Sequence, residues 1–147
     1  MADEDMVVVE ETGEGRFQQA VTVAGLHHLT GDEPISAGGG DTGPNPYDFL
    51  LAALGTCTSM TIRMYAARKE WPLTHVSVGL RHDKVHAEDC VECETRHGMV
   101  DVIERVITLE GNLDDEQTAR LMEIADKCPV HRTLTSEITI RTRLAGA

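Results

Sequence analysis

Alternation of apolar and polar residues predicts two groups of β-strands in this chain. In the first group, segments 7–10 and 17–23 flank Thr-Gly-Glu-Gly, a sequence that favours a hairpin, and 24–29 is expected to extend the pairing. The second group comprises the longer segments 73–86 and 102–110, and a final strand is predicted at 137–143. Because side chains alternate between faces along a strand, each segment should turn its apolar residues to one side of a sheet.

A long helix is predicted between the two groups of strands. Asn45-Pro46 is a strong helix start, since Asn accepts hydrogen bonds at an N-cap and Pro suits the first helical position. Asp48 stands where a capping box places its carboxylate. The helix should end near residue 70, before Trp71-Pro72. Its first half is apolar or small on every face, which is typical of a helix buried in a core or an interface.

A second helix is predicted to begin at Asp114 and to end at Pro129. Leu121, Ile124 and Ala125 recur at helical spacing, and Cys128 continues that face into the last turn. The partial negative charge of a helix C-terminus disfavours a thiolate there. Such a position suits a resolving thiol better than a primary nucleophile.

Composition and charge narrow the range of functions. The 147 residues fit one domain, 1–147, with residues 1–6 as a flexible acidic terminus. A net charge of −12 and an aromatic content of 3% argue against a nucleic-acid partner. The longest nearly apolar stretch, 49–54, is too short to span a bilayer, so no membrane association is expected. Four cysteines are too few for a secreted disulfide framework, which favours a cytoplasmic protein with catalytic, redox or metal-binding cysteines.

Cys57 and Cys128 form the first cysteine pair. A buried structural role is common for a cysteine on an apolar helix, but Thr56, Thr58 and Ser59 surround Cys57 with hydroxyl groups. If the two helices pack side by side, Cys57 can attack a hydroperoxide and become a sulfenic acid, with which Cys128 condenses. An external dithiol would then reduce the disulfide.

A cation should favour the Cys57 thiolate, since the residue lies too far along its helix to gain from the N-terminal dipole. Arg63 points away from Cys57 and Arg68 is about 16 Å further along the axis. The cation is therefore expected from elsewhere in the fold or from a partner subunit, with Arg16 and Arg132 as candidates.

A second cysteine pair follows two histidines in the pattern His82-x3-His86-x3-Cys90-x2-Cys93. Zinc prefers nitrogen and sulfur ligands in a tetrahedral arrangement, so these four residues are a candidate zinc site, although the spacing matches no common zinc finger. Two other interpretations stay open, a surface hairpin tip with free thiols and a redox-active dithiol. With these two histidines and two cysteines, the protein could instead be a metal-binding or redox-sensing module.

Two motifs resemble those of the OsmC/Ohr family of osmotically induced and organic hydroperoxide resistance proteins. The first is Gly-Pro-Asn-Pro-Tyr-Asp at 43–48 with Leu-Leu-Ala-Ala-Leu-Gly-Thr-Cys at 50–57, and the second is Ala-Asp-Lys-Cys-Pro-Val at 125–130. The resemblance spans about residues 16 to 144. It implies an α+β fold with antiparallel sheets around a long buried central helix and a second helix. It also implies an intertwined homodimer with active sites at the subunit interface.

The same resemblance implies a function. Cys57 would be the peroxidatic cysteine and Cys128 the resolving cysteine of a thiol-dependent hydroperoxide reductase that requires no cofactor. Organic hydroperoxides would be the substrates, and a dithiol, lipoyl in some family members, the reductant. Well-studied members carry a glutamate ten residues before the reactive cysteine. Here Tyr47 holds that position, and the adjacent Asp48 is a candidate catalytic acid as well as a helix cap.

Overall fold

The computed structural model of the protein describes residues 5–146, and these divide into two compact units at Leu50. The expectation of one domain over 1–147 stays a prediction. Of the predicted flexible terminus at 1–6, residues 1–4 lie outside the described residues. Both units combine antiparallel strands with helical segments, in the α+β class that was predicted.

The first unit contains a three-stranded antiparallel sheet in the order β1-β2-β3. The strands are β1 (Val7–Glu11), β2 (Gln19–Val23) and β3 (His27–Gly31). Val9 pairs with Val21, and Val21 with Leu29, so apolar residues of all three strands share a face. The predicted hairpin is confirmed. The third strand starts later than predicted because Ala24 and Gly25 have positive φ angles of 52° and 65° and form the turn.

The long predicted helix is confirmed as α1 (Pro46–Arg68). Asn45 and Asp48 form the predicted capping box, in which each backbone N–H donates to the other side chain at 2.9 Å. The buried positions, Leu54, Gly55, Thr58, Ile62 and Ala66, follow one face of the helix. At other positions of the helix, Met60 and Met64 are 61% and 72% exposed in the single chain.

The second unit pairs β4 (Leu73–His86) with β5 (Met99–Gly111) as a long antiparallel hairpin. The helix α2 (Asp115–Ala125) begins at the predicted cap, where Asp114 and Gln117 form a capping box. A core cluster lies between the helices and the sheet; its buried members are Ile62, Ala66, Leu73, Leu121 and Ala125. No helix among residues 5–146 is both long and apolar enough to cross a membrane.

Two local predictions for the second unit are wrong. The helix α2 ends at Ala125, and Cys128 is instead the N-cap of a separate short helix, α3 (Pro129–Leu134). Pro129 therefore starts a helix, as its fixed φ angle allows at the first helical position, rather than stopping one. Segment 137–143 forms no strand in the described chain, although Ile138 and Ile140 alternate there and are exposed. A strand needs a hydrogen-bonded neighbour, and the pattern alone does not supply one.

Candidate functional site

The second unit brings Cys57 and Cys128 into contact. Cys57 lies on α1 and is partly exposed, whereas Cys128 precedes α3 and is fully buried. Their thiols are within hydrogen-bonding reach of each other. The juxtaposition expected from the sequence is therefore present, while the chemical role of each thiol stays a prediction.

Two consecutive backbone amides of α3 point at the two sulfur atoms. The Val130 N–H donates to Cys57 Sγ at 3.5 Å, and the His131 N–H donates to Cys128 Sγ at 3.3 Å. Pro129, which has no N–H, starts the helix and turns these two amides towards the thiols. The Cys-Pro-Val-His segment at 128–131 thus supplies one backbone amide donor to each sulfur.

Thr58 connects the cysteine pair to the rest of the unit. Its Oγ1 lies 3.8 Å from Cys128 Sγ and donates to the Leu54 carbonyl at 2.7 Å. The same oxygen accepts a hydrogen bond from Arg105 Nη1 at 3.0 Å. These two hydrogen bonds use the proton and one lone pair of the buried Thr58 hydroxyl, so it both donates and accepts.

Arg105 is the cation beside the cysteine pair, and the sequence analysis did not identify it. The Arg105 side chain is 11% exposed, and its guanidinium also donates to the Ala125 carbonyl at 3.2 Å and to Asp126 Oδ1 at 2.7 Å. A signal was present in the sequence. Arg105 shares the inward face of β5 with Ile103 and Ile107. A charged side chain on an apolar strand face is costly to bury unless a partner pairs with it, so its presence there indicates a polar site.

The surroundings of Cys128 favour its thiolate. Burial by itself raises the pKa of a thiol, but the His131 N–H, the Cys57 thiol, the Thr58 hydroxyl and the positive charge of Arg105 each lower it. Together they hold the pKa of Cys128 below its ordinary value. The expectation that a helix C-terminus disfavours this thiolate is wrong, because Cys128 precedes a helix rather than ending one.

Three of the four arginines considered from the sequence make other contacts. Arg63 Nη1 donates to the Leu73 carbonyl at 2.6 Å, and the Arg68 guanidinium lies 5.1 Å from the centre of the Tyr65 ring. Arg16, in the first unit, stacks on Phe17. Arg132 is exposed on α3.

Asp48 acts as a helix cap in the structure. Its carboxylate accepts from the Asn45 N–H, and this contact fixes the start of α1. A catalytic role for Asp48 stays a prediction.

The candidate zinc ligands do not converge in the structure. Cys90 and Cys93 are joined as a disulfide in the loop between β4 and β5, and His82 Nε2 contacts Asp101 Oδ1 at 2.7 Å. Within residues 5–146, no group of three or more His, Cys, Asp or Glu side chains is arranged to hold a metal ion. The four-ligand site at His82, His86, Cys90 and Cys93 is thus not formed in this oxidised state, because a disulfide offers no thiolate ligand.

A cavity of about 440 Å³ adjoins the cysteine site within the second unit. Arg105, Asp126, His131 and Asp101 contribute its charged and polar wall. The remaining wall is mostly apolar and comprises Leu54, Ile103, Ile107, Met122, Leu134 and Thr135. The cavity shares Arg105, Asp126 and His131 with the surroundings of the cysteine pair, while the two thiols do not line it.

Solved structures of other proteins share this fold. An OsmC organic hydroperoxide resistance protein from Legionella pneumophila is 20% identical, with 88% of this chain and 89% of that chain covered and a TM-score of 0.62. An OsmC-like protein from Mycoplasma pneumoniae is 15% identical, with coverage of 91% and 89% and a TM-score of 0.67. The organic hydroperoxide resistance protein OhrB of Bacillus subtilis is 18% identical, with coverage of 88% and 89% and a TM-score of 0.59.

Direct comparison with curated protein sequences finds no match. The family model described as OsmC-like protein, however, matches residues 38–143, which include both cysteines of the buried pair. The resemblance carried by the two motifs is confirmed, and the low identities make this a divergent member. The chain therefore belongs to the OsmC-like protein family.

Proposed function

We propose that this protein is a cysteine-based peroxidase that reduces organic hydroperoxides. The observation that carries the proposal is the contact between Cys57 and Cys128, each with its own backbone amide donor. Cys57 is the attacking residue because it is partly exposed and a hydroperoxide can approach it, whereas Cys128 is fully buried.

The cycle has two oxidative steps. The Cys57 thiolate attacks the distal oxygen of the hydroperoxide, the O–O bond breaks, and an alcohol leaves after taking up a proton, so that Cys57 becomes a sulfenic acid. The Cys128 thiolate then attacks the Cys57 sulfur, the S–O bond breaks, and the hydroxyl group takes up a proton from solvent and leaves as water. Two thiols are thereby oxidised to one disulfide while one hydroperoxide is reduced.

The substrate class rests on the family and on the adjoining cavity. Two of the solved relatives are named organic hydroperoxide resistance proteins. The apolar wall of the 440 Å³ cavity, with residues such as Ile103 and Ile107, suits the organic group of an alkyl hydroperoxide. The reductant is a small dithiol such as a lipoyl group, which can form a ring disulfide when it leaves.

The protein is further proposed to be a cytoplasmic homodimer. The first unit contains an open, apolar cavity of about 920 Å³, lined by residues such as Val9, Val21 and Phe49. Met60 and Met64 of α1 are also exposed. Apolar surface of this extent is typical of an interface, and light scattering should give about twice the chain mass of 16.1 kDa. A monomeric mass would contradict the dimer.

Peroxide consumption tests the proposed reaction. Cumene hydroperoxide should be consumed by wild-type protein with dihydrolipoamide, and Cys57→Ser should lose this activity, whereas the neighbouring Ser59→Ala should keep it. Mass spectrometry after one equivalent of hydroperoxide should show a Cys57–Cys128 disulfide. Activity that survives Cys57→Ser, or oxidation confined to other residues, would contradict the proposal.

The disulfide between Cys90 and Cys93 supports a second candidate function, a redox-sensing module. The reduced loop would free two thiols near His86 and so restore the predicted zinc ligands. Zinc analysis of reduced protein should then show binding that is lost in Cys93→Ser, and the oxidised protein should bind none. Zinc content that is unaffected by Cys93→Ser would remove the metal site.

A further inference from the structure

Within the proposed peroxidase cycle, we propose that dithiol reductants attack Cys57 Sγ and that Cys128 is the leaving group. Arg105 is the positioning residue that holds the Thr58 hydroxyl beside Cys128. The proposal concerns the reductive half of the cycle. It therefore rests on the proposed function but makes a separate prediction about which sulfur is attacked and which residue sets the rate.

Access decides which sulfur the reductant can reach. Thiol–disulfide exchange requires the attacking thiolate to approach one sulfur of the disulfide from outside. Cys128 has no exposed surface, because Thr58 and the start of α3 cover it. Cys57 is partly exposed. The geometry therefore directs the external thiolate to Cys57.

The charge that develops during attack appears on the other sulfur, Cys128. As the S–S bond breaks, its electron pair moves to Cys128 Sγ, which becomes a thiolate. The His131 N–H points at this atom from 3.3 Å and cannot rotate away, because it belongs to the backbone of α3. A leaving thiol that is stabilised as its anion departs faster.

Arg105 acts on Cys128 through Thr58. The Thr58 proton is held by the Leu54 carbonyl at 2.7 Å, while the Arg105 guanidinium donates to the same hydroxyl oxygen at 3.0 Å. The hydroxyl can thus turn its proton to an anionic Cys128 without leaving its oxygen unpaired, since Arg105 still donates to it. Arg105 also adds a positive charge near the sulfur.

The other charged groups around this sulfur lie on the loop before α3 and on α3 itself. Asp126 holds Arg105 in place through a contact of 2.7 Å, and the His131 ring is 4.0 Å from the same carboxylate. The Asp126 side chain is 66% exposed and that of Arg105 is 11% exposed, so solvent screens the charge of Asp126 more. The electrostatic potential at Cys128 Sγ is therefore set mainly by the positive charge of Arg105.

Reduction of the disulfide takes two steps. A dithiol thiolate attacks Cys57 Sγ, which forms a mixed disulfide and releases the Cys128 thiolate. The second thiol of the reductant, after losing its proton, attacks the reductant sulfur of the mixed disulfide. The reductant is thereby oxidised to a disulfide, and both cysteines are returned as thiols or thiolates.

The position of attack can be mapped directly. Protein carrying Cys90→Ser and Cys93→Ser, which removes the second pair, is oxidised to the Cys57–Cys128 disulfide and treated briefly with 2-mercaptoethanol. After an acid quench and alkylation, peptide mass spectrometry should place the mercaptoethanol adduct on Cys57 and the alkyl group on Cys128. The reverse distribution, or equal amounts on both residues, would overturn the proposal.

Arg105 is tested by variants that separate charge from structure. Arg105→Gln should slow reduction of the preformed disulfide about three- to tenfold and raise the pKa of Cys128, followed by thiolate absorbance in a Cys57→Ser background. Arg105→Lys should restore part of both effects. Arg81→Gln, which removes an exposed arginine from neighbouring β4, should change neither. An unchanged Cys128 pKa in Arg105→Gln would overturn the positioning role.

These outcomes are distinguishable from failure of the peroxidase itself. If hydroperoxide does not form the Cys57–Cys128 disulfide at all, the proposed function fails. If the disulfide forms at the wild-type rate but the adduct maps to Cys128, the function stands and the inference fails. Diamide can form the disulfide independently of any peroxide, so the reductive step is measurable in either case.

Discussion

The two cysteine pairs of this protein differ in how the chain brings their sulfur atoms together. Cys90 and Cys93 are three residues apart in one loop, and they are bonded to each other. Cys57 and Cys128 come from separate helical segments and meet as free thiols. A local turn suffices for the first pair, whereas the second pair depends on the packing of α1 against the start of α3.

The surroundings of the two pairs differ as well. The Cys57–Cys128 pair has two directed backbone amides, a buried hydroxyl group and an arginine whose side chain is largely shielded from solvent. The Cys90–Cys93 pair lies in an acidic loop between two strands, with Glu92 and Val91 exposed between the cysteines. Thiolate chemistry needs fixed donors and a nearby cation, and these are arranged around the buried pair.

Replacing one member of each pair should give the largest contrast. Cys128→Ser should keep the stoichiometric oxidation of Cys57 but lower multiple-turnover peroxidase activity with a dithiol by about 10²-fold, because the sulfenic acid has no resolving thiol. Cys93→Ser should stay within twofold of wild type. Stopped-flow and steady-state assays on both variants measure this. Equal losses in the two variants would mean that the pairs are functionally linked.

Removing the hydroxyl that connects Cys128 to Arg105 should have an intermediate effect on stability. Thr58→Val leaves the guanidinium short of an acceptor in a buried place, and this should lower the free energy of unfolding by about 1–3 kcal/mol. Thr56→Val, at an exposed position on the same helix, should change it by less than about 0.5 kcal/mol. Urea denaturation of both variants measures these changes in the free energy of unfolding. A neutral Thr58→Val would show that the Arg105 contact adds little.

The depressed pKa of Cys128 should also make stability depend modestly on pH. An acidic group whose pKa is lower in the folded state stabilises it above the unfolded pKa, and that contribution is lost as pH falls through the folded pKa. The unfolding free energy of reduced wild type minus that of Cys128→Ser should therefore rise with pH up to about the ordinary thiol value of 9.0 and then level off. A difference that falls with pH would contradict the assignment.

Most of the individual elements could be predicted from the sequence because their causes are local. The start of α1 follows from Asn45, Pro46 and Asp48, and the hairpins follow from alternation interrupted by turn residues. The two motifs also identified the family correctly. Errors arose where a local signal has two meanings. Pro129 marks a helix boundary, and the pattern did not tell a helix end from a helix start.

The sequence by itself determined the identity of the two distant cysteines, the helix α1 that carries Cys57 and the strand β5 that carries Arg105. Tertiary structure decided that both thiols face consecutive amides of α3 and that Arg105 is the cation beside Cys128. The reason is physical: hydrogen bonds of caps and turns join residues a few positions apart, so their pattern is visible along the chain. The contact of Arg105 with Thr58 joins a strand to a helix, and only the packing of these elements brings the two side chains together.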